Sequence, residues 1–96
     1  MAGEIRYPDL RVVARILEAL WRLGDRVRPT RLQQASGTNY TQFTRYLDLL
    51  VQRGLLSVET DAHGDRWISL TPKGQAAHGF LVSGLAAVLG ATRPPP

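Results

Sequence analysis

The chain has 96 residues, 44% of them hydrophobic, which supports one globular domain with a modest core and excludes a disordered chain. It has no cysteine, so disulfides and thiolate metal sites are excluded, and a reducing cytoplasm is the expected compartment. The net charge of +4 comes almost wholly from arginine, because Lys73 is the single lysine, and it favours a polyanionic partner such as nucleic acid.

A first helix is predicted over residues 10–23. Asp9 is a candidate N-cap and Gly24 a candidate stop signal. Between them the apolar residues recur at helical spacing: Leu10, Val13, Ile16, Leu17, Leu20 and Leu23. The connector that follows, residues 25–28, is able to contribute a short strand.

Two more helices are predicted on either side of a break at Gly37. The second helix begins at Pro29 or Thr30 and extends to about Ser36. Its inward positions are Leu32 and Ala35. The third helix is capped by Thr38 or Asn39, whose side chains can accept the unpaired N–H groups of the first turn, and Gly54 ends it. Its apolar stripe is Phe43, Leu47 and Leu50, flanked by Tyr46 and Val51.

A β-hairpin and a fourth helix complete the predicted elements. Residues 55–60 and 66–70 contain β-forming side chains, and Gly64 in the loop between them supplies the positive φ angle that a hairpin loop needs. Thr71 is the expected N-cap of the fourth helix, with Pro72 at its first position and Leu89 near its end. The order of helix, helix, helix, hairpin and helix predicts a winged helix-turn-helix, a mainly α fold with a small β-hairpin.

The third helix carries the predicted recognition surface. In a helix-turn-helix the second helix of the motif places its polar N-terminal face in the DNA major groove. Opposite the buried Phe43 this helix presents polar residues and a single acid, Asp48, which is able to pair with Arg45. Every amphipathic helix has a polar face, but arginine and glutamine are types that bond guanine and adenine. The predicted DNA contacts are Thr38, Asn39, Tyr40, Thr41, Gln42, Thr44 and Arg45.

Three arginines outside the third helix are candidates for phosphate contact: Arg28, Arg31 and Arg66. Phosphate contacts set affinity and register without selecting a sequence. The alternative for each of them is a solvated surface charge. His63 and His78 have no partners at metal-ligand spacing, so they are expected at the surface or in turns, and no metal or cofactor is expected.

Two segments of the chain follow a known pattern. They are Asn39-Tyr40, Tyr46-Leu47, Leu50 and Gly54-Leu55-Leu56, and then Leu70-Thr71-Pro72-Lys73-Gly74. Over roughly residues 10–80 the chain resembles archaeal winged-helix regulators of the ten-kilodalton coiled-coil type. It is also similar to bacterial regulators of the multiple-antibiotic-resistance type. This resemblance implies DNA binding by the third helix and the wing, and dimerisation through the C-terminal helix, which here is shorter and less charged than the archaeal coiled coil.

The C-terminal helix is expected to hold a dimer together. Residues 74–92 carry no charge, and their apolar residues lie on every side of a helix that so small a domain cannot cover. The predicted dimer contacts are Phe80, Leu81, Leu85 and Val88. One alternative is a helix that completes the core of the monomer. Another is a membrane anchor, although the densely apolar part, residues 80–89, is short of the about 20 residues that a span needs.

The sequence therefore predicts a winged helix-turn-helix domain over residues 1–73, a dimerisation helix over residues 74–91 and a disordered Pro-rich tail over residues 92–96. The predicted function is that of a transcription regulator or small architectural protein that binds double-stranded DNA as a homodimer in the cytoplasm, associated with the nucleoid. No enzymatic activity, membrane partner or small-molecule substrate is expected, and no signal peptide is evident. The alternative is a winged-helix module that binds another protein within a larger complex.

Overall fold

The computed structural model describes the backbone of residues 7–89 and the side chains of residues 7–84. Within that range the helices are α1 (Leu10–Leu23), α2 (Pro29–Ser36), α3 (Tyr40–Gln52) and α4 (Pro72–Leu89). The strands β1 (Leu56–Thr60) and β2 (Arg66–Leu70) form an antiparallel hairpin, here called the wing, between α3 and α4. This order confirms the predicted fold class, a winged helix-turn-helix with mainly helical structure.

Side-chain caps set where three of the helices begin. The Asp9 carboxylate accepts a hydrogen bond from the N–H of Arg11 at 2.9 Å at the start of α1. Of the two candidate caps of α3, Asn39 is the one used, because its side chain accepts from the N–H of Gln42 at 2.8 Å. Thr71 caps α4 in the same way, with 2.9 Å between its hydroxyl and the N–H of Gly74. These bonds satisfy donors that have no partner within the helix.

The hydrophobic core lies around α1. Its fully buried side chains come from every element but α4, and they are Ile16, Leu17, Leu20, Leu32, Leu50, Leu56 and Ile68. The inward residues of α2 differ in one respect from the prediction, because Ala35 is exposed and Ser36 is buried beside Leu32. Ser36 can be buried because its hydroxyl donates to the carbonyl of Gln33 at 3.0 Å.

A short third strand joins the wing to the helical core. Val27 and Ile68 exchange two backbone hydrogen bonds, of 2.9 and 2.8 Å, as an isolated antiparallel bridge. Both side chains are buried in the core. The connector between α1 and α2 therefore extends the two-stranded sheet, as predicted, and fixes the base of the wing.

Helix α4 packs along α1 through a polar contact that the sequence analysis placed wrongly. His78, expected at the surface or in a turn, is 8% exposed. Its Nε2 lies 2.7 Å from a carboxylate oxygen of Glu18, and its ring stacks on Trp21 with 4.8 Å between the centroids. The histidine is buried because its side chain faces α1, where Glu18 supplies its hydrogen-bond partner.

The opposite side of α4 carries apolar surface. Phe80 is 78% exposed and Val82 43%, whereas Leu81 is half-buried and packs with Ala77 against the core. The side chains of Leu85 and Val88 and the tail of residues 92–96 lie outside the described residues. Within the described part of the chain, no helix combines the length and the hydropathy needed to cross a bilayer.

Candidate nucleic-acid interface

The rotation of α3 is fixed by its buried side. Phe43, Tyr46, Leu47 and Leu50 face the core, and the hydroxyl of Tyr46 accepts a hydrogen bond of 2.8 Å from the N–H of Asp9 at the start of α1. This bond ties α3 to the first helix across 37 residues of sequence. Because the inner face is held in this way, the outer face must point away from the domain.

The outer face of α3 is polar and accessible along its length. Tyr40 is 72% exposed at its first position, and Thr41 and Arg45 are exposed below it. Gln42 and Thr44 are half-buried, and the hydroxyl of Thr44 donates to the carbonyl of Tyr40 at 2.8 Å. The structure thus brings together the predicted contacts of the first turns of α3: Asn39, Tyr40, Thr41, Gln42, Thr44 and Arg45.

Thr38 does not belong to this surface. It is 7% exposed, and its hydroxyl lies 3.0 Å from that of Ser36 inside the turn between α2 and α3. The turn needs Gly37 in a left-handed conformation, with φ of +70°, and this conformation directs the chain back so that Thr38 points inward. Thr38 is therefore a residue that shapes the turn, and its inclusion among the DNA contacts is corrected.

Arg45 is free to bond a partner outside the chain. Among the described residues no ion pair joins it to Asp48, although the spacing of three residues would permit one. Arg45 is exposed, and α3 presents it close to its own N-terminal turns. The guanidinium can therefore form two parallel hydrogen bonds with a base edge or a phosphate without first breaking a bond within the protein.

One carboxylate organises the loop of the wing. An oxygen of Asp61 accepts hydrogen bonds of 2.9 Å from the N–H groups of His63 and Asp65, and its other oxygen accepts one of 3.0 Å from the indole N–H of Trp67. Gly64 has φ of +83° at the tip of this loop. The tip is therefore a defined structure rather than a loose connection.

These bonds give the wing a pH dependence. The indole N–H of Trp67 and the N–H of Asp65 hold the pKa of Asp61 below its ordinary value. A carboxyl group with a lowered pKa in the folded protein stabilises the fold above its unfolded pKa, of about 3.9, and this contribution is lost as the pH falls through the lowered value. We expect the indole resonance of Trp67 to shift in an NMR titration below about pH 4 and not in Asp61→Asn. A constant wild-type resonance down to the pH of global unfolding would contradict this.

The three predicted phosphate contacts lie around the wing and the start of α2. Arg66 is exposed at the start of β2, and Arg31 is exposed on α2. Arg28 lies between them and forms an ion pair of 3.1 Å with Asp65. Arg28 and Arg66 line an open groove of about 340 Å³ between the wing tip and the first residues of α2.

The structure adds residues that the sequence analysis missed. Arg26 lies over the ring of Trp67, with 4.5 Å from its Cζ to the ring centroid. Arg15 of α1 reaches the turn of the motif, because its Nη1 lies 3.7 Å from where a Cβ on Gly37 would be. Arg26 alternates with Arg28 about Val27, and this two-residue period in a strand was the available signal. Nothing local in the sequence indicates the position of Arg15.

The arrangement defines the class of the protein: it has the winged-helix fold of DNA-binding transcription regulators. No family model matches the chain, and no curated protein matches its sequence. The solved structures provide the comparison. The chain is similar to Sso10a-2, a DNA-binding protein from Sulfolobus solfataricus, with 21% identity and a TM-score of 0.67, over 93% of this chain and 100% of that one.

Two further neighbours come from different sources. F93 from STIV, a winged-helix DNA-binding protein, has 20% identity and a TM-score of 0.74, over 86% of this chain and 95% of that one. A MarR family transcriptional regulator from Silicibacter pomeroyi DSS-3 has 30% identity and a TM-score of 0.67, over 80% of this chain and 54% of that one. The chain thus spans about half of the length of that regulator. Both resemblances drawn from the sequence are confirmed at the level of the fold.

Proposed function

We propose that the protein binds double-stranded DNA as a transcription regulator or a small architectural protein, with α3 in the major groove and the wing against the phosphates. The observation that carries the proposal is the accessible polar face of α3, on which Arg45 has no partner among the described residues. The descriptions of Sso10a-2 and F93 as DNA-binding proteins support it.

The two parts of the surface have different tasks in this proposal. Arg45 and Gln42 are suited to base edges, because arginine bonds guanine O6 and N7 and glutamine bonds adenine N6 and N7. Arg31 and Arg66 are suited to phosphates, which hold the protein in register. No catalytic step is part of the proposal, and a protein that acts on DNA in this way would be found with the nucleoid in the cytoplasm.

Salt dependence distinguishes DNA binding from the alternative of a protein-interaction module. We expect a labelled 20-base-pair duplex to bind and to lose affinity steeply as salt rises, since each phosphate contact releases counterions. A dimer with about six phosphate contacts should lose about 10³-fold in affinity between about 50 and 200 mM salt. Failure to bind genomic or random duplexes at the lower salt concentration would contradict the proposal and favour the protein-interaction module.

The second part of the proposal is a homodimer formed through α4. Its support is the exposure of Phe80 and Val82 on the side of α4 that faces away from the core. Leu81 is half-buried against its own chain, so it would contribute less to such an interface than Phe80. A two-fold axis at α4 would allow two copies of α3 to contact successive major grooves about 34–36 Å apart.

We expect Phe80→Asp to abolish the dimer. Burial of the two symmetry-related phenylalanines would contribute about 1.5–3 kcal/mol each, so their replacement should raise the dissociation constant at least about 100-fold. Sedimentation equilibrium without detergent measures this, and Gln75→Asp, which adds the same charge at an exposed position of α4, is the control. A wild type that is monomeric at micromolar concentration would contradict the dimer, and a wild type that requires detergent would favour a lipid surface.

A further inference from the structure

An aromatic residue at the base of the wing holds two cations. The Cζ atoms of Arg26 and Arg28 lie 4.5 and 5.2 Å from the centroid of the Trp67 ring, within the range of cation–π attraction. The ring is fixed in turn by the bond of 3.0 Å from its indole N–H to Asp61. Trp67 is therefore a rigid platform with a guanidinium group on either flank of the connecting strand.

The sheet explains why these three side chains meet. Val27 and Ile68 form the bridge that joins the connector to β2, and both are buried in the core. Their neighbours Arg26, Arg28 and Trp67 must point to the other face of the sheet, because successive side chains in a strand alternate. All three are exposed or half-buried there. We call this set of three residues the arginine platform.

The charges of the arginine platform favour an anion. Two guanidinium groups around one ring repel each other, and Arg28 has an ion pair with Asp65 that offsets part of this repulsion. Arg26 has no carboxylate within 4.0 Å among the described residues. Arg28 also lines the groove between the wing tip and α2, together with Arg66. The platform thus continues the basic surface of the wing towards the core.

From this we infer that the arginine platform is an additional contact to the DNA backbone, in which Arg26 and Arg28 bind phosphate and Trp67 is the positioning residue for both. The inference rests on the proposed DNA binding. A purely structural role would be a cation–π contact that stabilises the wing and leaves the number of phosphate contacts unchanged. The two roles therefore differ in the salt dependence of binding, which counts phosphate contacts.

The experiment measures the affinity for a 20-base-pair duplex over a series of salt concentrations. Arg26→Gln should lower the slope of log affinity against log salt by about 0.9, the value of one phosphate contact in each DNA-binding domain. Arg22→Gln is the matched control, because it removes the same charge from an exposed arginine of α1 that pairs with Glu18 at 3.4 Å. Its slope should equal that of the wild type.

Trp67 is tested without any change in charge. Trp67→Leu should weaken binding about two- to fivefold, the equivalent of an exposed cation–π contact, and should also lower the slope. Trp67→Phe keeps an aromatic ring and should retain the wild-type slope. Thermal unfolding of each variant shows whether the domain is intact, and if Trp67→Leu does not fold, Arg26→Gln decides the inference by itself.

The outcomes separate this inference from the proposed function. Steep salt dependence in the wild type, with an unchanged slope in Arg26→Gln, would overturn the arginine platform as a DNA contact and leave the proposed function intact. A wild type that does not bind DNA would overturn both. A lower slope in Arg26→Gln with no change in Arg22→Gln would support the inference.

Discussion

Replacement of Gly74 by alanine is expected to destabilise the domain by about 3 kcal/mol, at the upper end of the range for an overpacked site. A Cβ on Gly74 would overlap the carbonyl oxygen of Leu55 and would lie 2.8 Å from Cδ1 of Leu70. The carbonyl cannot move away at little cost, because it accepts hydrogen bonds from both the N–H and the hydroxyl of Thr71. The first turn of α4 would have to separate from the segment between α3 and β1.

The chain contains a matched control for this prediction. Gly79 is in the same helix, and a Cβ there would meet nothing within 4 Å among the described residues. Gly79→Ala should therefore be neutral or stabilising by up to about 1 kcal/mol, the difference in helix propensity. Urea unfolding followed by circular dichroism compares the two variants. Equal stability of Gly74→Ala and Gly79→Ala would show that α4 does not pack closely on the Leu55 backbone.

Replacement of Arg45 by alanine is expected to cost about 1–3 kcal/mol in DNA affinity, or roughly 5- to 150-fold, if the side chain forms a bidentate bond with a base. The folded domain should be unaffected, because Arg45 is exposed and makes no ion pair among the described residues. Alanine also keeps the helix propensity of the site high.

The sequence dependence of the loss tests what Arg45 does. If Arg45 contacts a base, the loss should be largest for the preferred duplex and small for random DNA, whereas Arg66→Ala should weaken both about equally. Arg22→Ala is the control for loss of a positive charge elsewhere on the surface. Unchanged affinity of Arg45→Ala, with unchanged circular dichroism, would exclude α3 as the recognition helix.

Local signals predict most of the fold of this chain. Asp9, Asn39 and Thr71 cap helices because their side chains accept hydrogen bonds from residues two or three positions later, and such bonds depend on nearby sequence alone. The glycines that end helices and the period of the apolar residues act over equally short distances. The element order was therefore predictable before any contact between elements was known.

The errors all concern contacts made between elements or within a tight turn. His78 is buried because Glu18, 60 residues away in sequence, lies opposite it. Thr38 is turned inward by a hydrogen bond with Ser36 that depends on the conformation at Gly37. The candidate interface shows the same division: the polar face of α3 follows from its period, but the meeting of Arg26 with Trp67 depends on the bridge between Val27 and Ile68.

The central claim is that the outer face of α3 and the wing contact double-stranded DNA. An NMR titration of the isotopically labelled protein with a 20-base-pair duplex at low salt tests it directly, because the backbone amide signals report the contact surface residue by residue. We predict the largest changes at residues 39–45 and 61–67, and small changes at the end of α1 near Trp21 and on α4 near Phe80. Changes confined to α1 and α4, or no changes at all, would contradict the claim.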